Sequence, residues 1–387
     1  MKKFTALLLG LVSVFALTSF SACLGGGKDS SSSSSGSSSS GGGDGGGNTP
    51  VARQDAGALG YLFPEYEGFY YEEASVLEEE NRVILSYTTN KTKNAEDSVI
   101  AVRTGVKTEN GYSFEEEAKI AIEGSSNGWD KYNVGGSDLV AGNFKYGTTE
   151  YKYLMAYHAN SISSRKRLQV GLAVSNDLTT WTKVGDAPFV AYDYEIYGDT
   201  DGVCNPSLVN VNGQGNVMLF YSYASSRITE SRFVEAILSD LNAPVVSGSI
   251  SVAHKGLPLD GLEWATVINA DFAYNSENGE IYMVKDGMVF ATQNAKKATL
   301  VQLARIPLAD LYKQEAQWMQ IASVMGLEAG GYTRMHSAAL VSNEYARIGE
   351  DVSIVFTSSV AAQGINDTSY LFKSGLHYYK VVTGDNA

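Results

Sequence analysis

Ionisable side chains recur in this sequence beside short apolar runs, and their types suit acid–base chemistry. Glu72 and Glu73 open the first run and Asp138 the second. Asp199, Asp201 and Asn205 precede the third. Glu263, Asn269 and Asp271 lie at the fourth, and Arg334 and His336 at the fifth. If the runs meet at one point, their carboxylates share a narrow space and repel one another. Some are then held protonated near neutrality, which sets a general acid beside a base. Cleavage of a glycosidic bond needs such a pair, with the separation fixing the stereochemical outcome. Each acid has a plainer reading. Asp138, in Gly135-Gly136-Ser137-Asp138, and Asp271, before Phe272, can cap a turn or strand. Glu73 and Glu263 can be solvated loop carboxylates. Asp201 belongs to an acidic loop over residues 192–204 with Asp193, Glu195 and Asp199. Its oxygens suit Ca2+, although the spacing is not that of an EF-hand.

Aromatic rings supply the other half of a carbohydrate site, because sugar C–H faces pack on them. Trp129 and Trp264 stand beside candidate acids, and Asn205 and Arg334 offer donors to sugar hydroxyls. His336, one of 4 histidines, is either a satisfied buried side chain or a ligand contact. No Walker loop and no H-E-x-x-H zinc site occurs, so the chemistry requires no cofactor. The net charge of -14 argues against a nucleic-acid partner, while leaving neutral carbohydrate as a ligand. A monomer is expected.

The elements that must position these residues are strands. Residues 50–387 show short alternating or apolar runs separated by Asn-Gly, Asp-Gly and Gly-rich turns. The only helical candidates are short stretches such as Leu308 to Met325. One unit recurs, a strand, a polar turn and an aromatic-rich strand, beginning at Glu73, Ser137, Asn205, Ala270 and His336; the starts lie 64, 68, 65 and 66 residues apart. A hairpin pair cannot bury both of its faces, whereas sheets stacked around an axis do. The expected fold is all-β, a five-bladed β-propeller over residues 50–387, with paired sandwiches or a β-helix as alternatives.

Residues 1–22 read as a secretion signal, two lysines before an apolar run from Phe4 to Phe20. Phe20-Ser21-Ala22-Cys23 resembles the lipobox of bacterial lipoproteins. That resemblance implies lipidation of Cys23, membrane contact only through that lipid, and an outer-membrane or cell-surface address. Residues 23–49, where 20 of positions 25–47 are Ser or Gly, form a flexible tether.

Ser175-Asn176-Asp177-Leu178-Thr179-Thr180-Trp181 resembles the S-x-D-L-x-x-W hairpin of five-bladed glycoside hydrolases acting on arabinan, xylan, fructan or mannan linkages. Mechanically, Asp177 accepts turn amides while Leu178 and Trp181 pack. The resemblance implies a base Asp in the first blade, where Glu73 or Glu72 stands here. It implies an orienting Asp in the second, matched by Asp138, and a general-acid Glu in the third. The third position reads Cys204-Asn205-Pro206 and lacks that Glu, leaving Glu263 or Asp201 to replace it from a loop. His336 would lie near a structural Ca2+ or the substrate. The functional readings are a surface-anchored glycoside hydrolase, a non-catalytic glycan-binding propeller, or a protein-interaction scaffold.

Overall fold

The computed structural model describes residues 52–55, 60–94, 96–257, 267–290, 296–325, 332–360 and 371–382. Cys23, Glu263 and Trp264 lie outside them. The compact unit runs from Thr49 to Ala387, and it is an all-β propeller.

Among the described residues the strands form four sheets, and dividing the nine-stranded one at its single parallel pair leaves five antiparallel meanders to follow. Their inner strands are Glu72–Glu78, Tyr132–Tyr146, Gly202–Asn210, Ala270–Asn275 and Arg334–Asn343. Each inner strand touches the next, and the fifth returns to the first. There Val341, Ser342 and Asn343 pair in parallel with Val76, Leu77 and Glu78. The N-terminal chain ties the ring: Gly60–Tyr61 pairs with Ser374–Val381 of the fifth meander, and Ala52–Asp55 with Met319–Met325 of the fourth. Second strands such as Val83–Asn90 and Asn216–Ala224 are buried along nearly their whole length. Phe220 of the third meander stacks on Phe272 of the fourth at 3.9 Å.

Leu308 to Met325 is not a helix. Leu308–Asp310 make a single 3-10 turn, and Met319–Met325 form a strand. Sheet pairing with Leu300–Arg305 outweighs the local helical pattern.

A repeated backbone device shapes the axis. Glu73, Gly136, Asn205, Asn269 and Ser337 all take positive φ, between 47° and 55°. In four of the five strands the register slips at this point, as a β-bulge does. The bulge turns each amide N–H sideways, toward the preceding meander. There it is accepted by a polar side chain on the second strand. Gly136 donates to Thr88 Oγ1 at 2.9 Å, Asn205 to His158 Nδ1 at 3.2 Å and Asn269 to Ser222 Oγ at 2.9 Å. Ser337 donates to Asp286 Oδ1 at 2.7 Å, and Glu73 to Thr357 Oγ1 at 3.2 Å. The last bond links the fifth meander to the first, so the circuit closes.

The far end of the axis is stoppered. The turn after the fifth inner strand lays three successive carbonyls across its neighbours. Glu344 O accepts from Ala141, Tyr345 O from Asn210 and Ala346 O from Tyr274. Ligand access is left to the end where the inner strands begin.

A buried N–H stripped of its acceptor costs about 1–3 kcal/mol. Ser222→Ala and Thr357→Val are each expected to lower stability by that amount, read as a shift in urea midpoint at unchanged slope. Midpoints equal to the parent's would show that the circuit carries no stability.

Candidate active site at the axial mouth

Two residues beyond each bulge lie Ser75, Asp138, Ser207, Asp271 and Ala339, and the side chains of the first four make a second row of hydrogen bonds. Ser75 donates to Asp138 Oδ1 at 2.5 Å, and the Leu139 amide joins it at 2.8 Å. Asp138 Oδ2 accepts from Leu208 N at 2.6 Å. Ser207 Oγ accepts from Phe272 N at 3.0 Å, and Asp271 Oδ2 from Leu340 N at 2.7 Å. Burial raises the pKa of both aspartates, and the charge of Asp138 raises Asp271 further. The cavity they line with Glu73 and Asn205 is about 40 Å³, room for one water. It is the floor of a site and not a pocket for a sugar ring.

The mouth above it holds the remaining charge. Glu73 Oε2 accepts from Thr88 Oγ1 and from the Gly136 amide, both at 2.8 Å. Glu72 is buried, and its Oε2 lies 4.0 Å from Arg165 Nη1. Burial pushes its pKa up to about 7; Arg165 opposes the shift and Glu73 adds to it. Asn205 Nδ2 donates to Asn269 Oδ1 at 2.7 Å, and Asn269 Nδ2 to Asp286 Oδ2 at 3.1 Å. Burial raises Asp286 to about 6 against these hydrogen bonds. Lys285 beside it is fully buried, donates to the Asp286 carbonyl at 3.1 Å, and is lowered by burial to about 8. His336 has hydroxyls on both ring nitrogens, Ser337 Oγ at 3.1 Å and Ser359 Oγ at 2.9 Å. Burial drives its pKa well below the usual value, so it is a neutral spacer.

Of the residues singled out from the sequence, the axis brings Glu73, Asp138, Asn205 and Asp271 into one cavity. Arg334 and His336 begin the fifth inner strand at the same end. Trp129 is not there. It stacks on Tyr157 at 5.8 Å and lies over Gly171, where any Cβ would meet its ring at 2.5 Å. It therefore packs within the second meander. Asp201 is exposed; its carbonyl accepts from Leu168 N, and its side chain is not among those lining the cavity. Among the described residues no group of three or more His, Cys, Asp or Glu side chains is gathered as if for a metal ion. The Ser175–Trp181 hairpin forms as its motif implies. Asp177 Oδ1 accepts from the Thr179 and Thr180 amides at 2.9 and 2.7 Å, which lower its pKa. Leu178 is buried, and Trp181 packs beside it.

Sequence reasoning missed the second-strand acceptors, Asp286 above all. A signal existed: a polar residue recurs on the second strand of each repeat, at Thr88, His158, Ser222, Asp286 and Thr357, with intervals of 70, 64, 64 and 71.

No family model and no curated protein matches the chain. Solved structures do. An α-L-arabinofuranosidase from Lactobacillus brevis aligns with a TM-score of 0.57 at 7% identity, covering 84% of this chain and 94% of that one. A family GH43_1 enzyme from Xanthomonas citri, solved with xylotriose, gives 0.54 at 9% identity over 86% and 92%. A family 117 glycoside hydrolase from Zobellia galactanivorans gives 0.51 at 14% over 85% and 89%. At such identities the likeness establishes a glycoside hydrolase-like propeller fold.

Glu72 binds its proton more tightly in the folded state than in the unfolded one, where its pKa is about 4.3. Its stabilising contribution, on the order of 3 kcal/mol, is full below the unfolded pKa and fades as pH rises through about 7. Glu72→Gln should therefore lose less stability than the parent between pH 5 and pH 8 in urea titrations. Equal losses would mean that Glu72 does not titrate in that window.

Proposed function

We propose that this chain is a surface-anchored, five-bladed glycoside hydrolase-like protein that engages carbohydrate at the axial mouth and cleaves glycosidic bonds there. The observation that carries this reading is the split between two neighbouring carboxyls. Glu72 is buried and holds its proton up to about pH 7, as a proton donor must. Glu73 rims the cavity, fixed by two hydrogen bonds to one oxygen, as a water-activating base must be. Asp138 and Asp271 act as positioning residues, because their oxygens hold the inner strands in register. The lipid on Cys23 and the tether of residues 23–49 would keep the domain at the outer membrane or cell surface, as a monomer.

The mechanism follows from those placements. Glu72, protonated, faces the leaving oxygen and donates to it as the bond breaks. Glu73 draws a proton from water attacking the sugar carbon. Arg165 and Arg334 balance the charge that Glu72 acquires.

A second reading, glycan binding without cleavage, is favoured by the third inner strand. Cys204-Asn205-Pro206 presents an amide where the hydrolase pattern has a carboxyl, and Asn205 is tied to Asn269. A protein-interaction scaffold has no comparable support.

The domain of residues 50–387, incubated with arabinan, xylan, mannan and fructan, should release reducing ends from at least one polymer. Glu73→Gln should cut that rate by about 10²–10⁴-fold while retaining binding. If Glu72 is the acid, kcat/KM falls as pH rises through about 7, and Glu72→Gln abolishes that limb. Binding without products would establish the second reading; neither binding nor products would remove carbohydrate from the account.

A further inference from the structure

Away from the axis, the outer strands of the first and fifth meanders adjoin. Tyr112 meets Tyr378 edge-on at 5.1 Å, and Gly111 lies against the same ring. Between Gly60–Tyr61 and Gly111–Phe114 opens a groove of about 560 Å³, within the span of small-ligand sites. It shares no residue with the axial cavity. Tyr61, Phe63, Glu65, Tyr112, Ser113 and Phe114 line it.

These rings are held rigidly. Tyr61 remains 49% exposed, yet it leans on the buried His377 ring at 4.7 Å. Both His377 nitrogens lack hydrogen-bond partners, so this histidine serves as a plate under Tyr61. The Tyr61 hydroxyl lies 3.3 Å from that of Tyr332, which donates to Glu65 Oε1 at 2.6 Å. Phe63 forms the floor, backed by the Arg103 guanidinium at 4.4 Å and the Tyr71 edge at 5.0 Å. Tyr112 donates to Glu78 Oε1 at 2.6 Å. The aromatic faces cannot collapse onto each other, so apolar area stays open to solvent beside a carboxylate and phenol hydroxyls.

That mixture suits one chemistry. Aromatic plates pack on sugar C–H faces while Glu65 and the tyrosine hydroxyls meet sugar hydroxyls. The lining carries an acid and no cation, which disfavours polyanions. By contrast, the exposed patch of Ile237, Val245 and Val246 on the third meander is aliphatic and offers nothing to a sugar. We infer that the groove beside Tyr61 and Tyr112 is a second carbohydrate site that takes a neutral glycan chain. The ligand class rests on the carbohydrate reading of the axial mouth; the location does not.

Affinity electrophoresis of the domain in gels cast with arabinan, xylan, mannan or fructan tests this, with polygalacturonate as the anionic control. At least one neutral polymer should retard the parent, and polygalacturonate should not. Tyr61→Ala should weaken that retention by about five- to tenfold, the worth of one aromatic contact. Ser113→Trp, which fills the groove from an exposed position, should weaken it at least as much. Both should keep the parent's melting temperature and any axial hydrolysis. A parent that no neutral polymer retards overturns the site. Retention unchanged in both groove variants assigns all binding to the axial mouth, and the groove falls while the axial reading stands.

Discussion

The fold depends on how five sideways amides are satisfied. A bulge in an inner strand removes one N–H from its own sheet, and a buried N–H must find an acceptor. Each finds it on the second strand of the preceding meander. The bonds therefore run around the axis and not along the sheets. Apolar packing between meanders is nondirectional and would tolerate sliding. A hydrogen bond about 3 Å long does not. The circuit fixes how far each sheet can rotate against its neighbour, and so fixes what reaches the mouth.

The same circuit limits which acids can do chemistry. Asp138 uses both oxygens on neighbouring donors, and Asp286 does the same with Ser337 and Asn269. An acid so occupied can exchange a proton only by releasing an amide that supports the ring. Glu73 is less committed: the bonds it accepts from Thr88 and Gly136 both fall on Oε2. Glu72 meets its nearest described cation only at 4.0 Å. Burial without tight pairing is the condition that lifts a carboxyl's proton affinity. Asp138 and Asp286 thus spend both oxygens on holding the ring, whereas Glu73 spends one.

Much of this was legible in the sequence, for a physical reason. Strands buried on both faces must be apolar runs, and sheets stacked about one axis must repeat at a near-constant interval. The period of about 66 residues therefore reported the architecture, and the polar residues at strand starts reported Glu73, Asp138, Asn205 and Asp271. Trp129 was misleading because an indole beside an acid looks the same whether it faces solvent or, as here, the ring of Tyr157. Leu308 to Met325 was misread because its final seven residues acquire their pairing from Lys296–Pro307, a partner that local periodicity does not see. Asp286 was overlooked for a related reason: its acceptor role is defined by Ser337, in the next meander.

The outer groove shows why one repeat can host two kinds of surface. At the axis, inner strands crowd, and polar side chains are used up in holding each other. At the flank, the last strand of one meander is contributed by the N-terminal chain, Gly60–Tyr61, and meets Gly111–Phe114 of the first meander across the seam. Closing a ring non-covalently brings two chain segments of independent sequence side by side. Aromatic residues there are released from the packing rules of the repeat, while His377, Arg103 and Glu78 still hold them still. The seam can therefore acquire a ligand without disturbing the amide circuit.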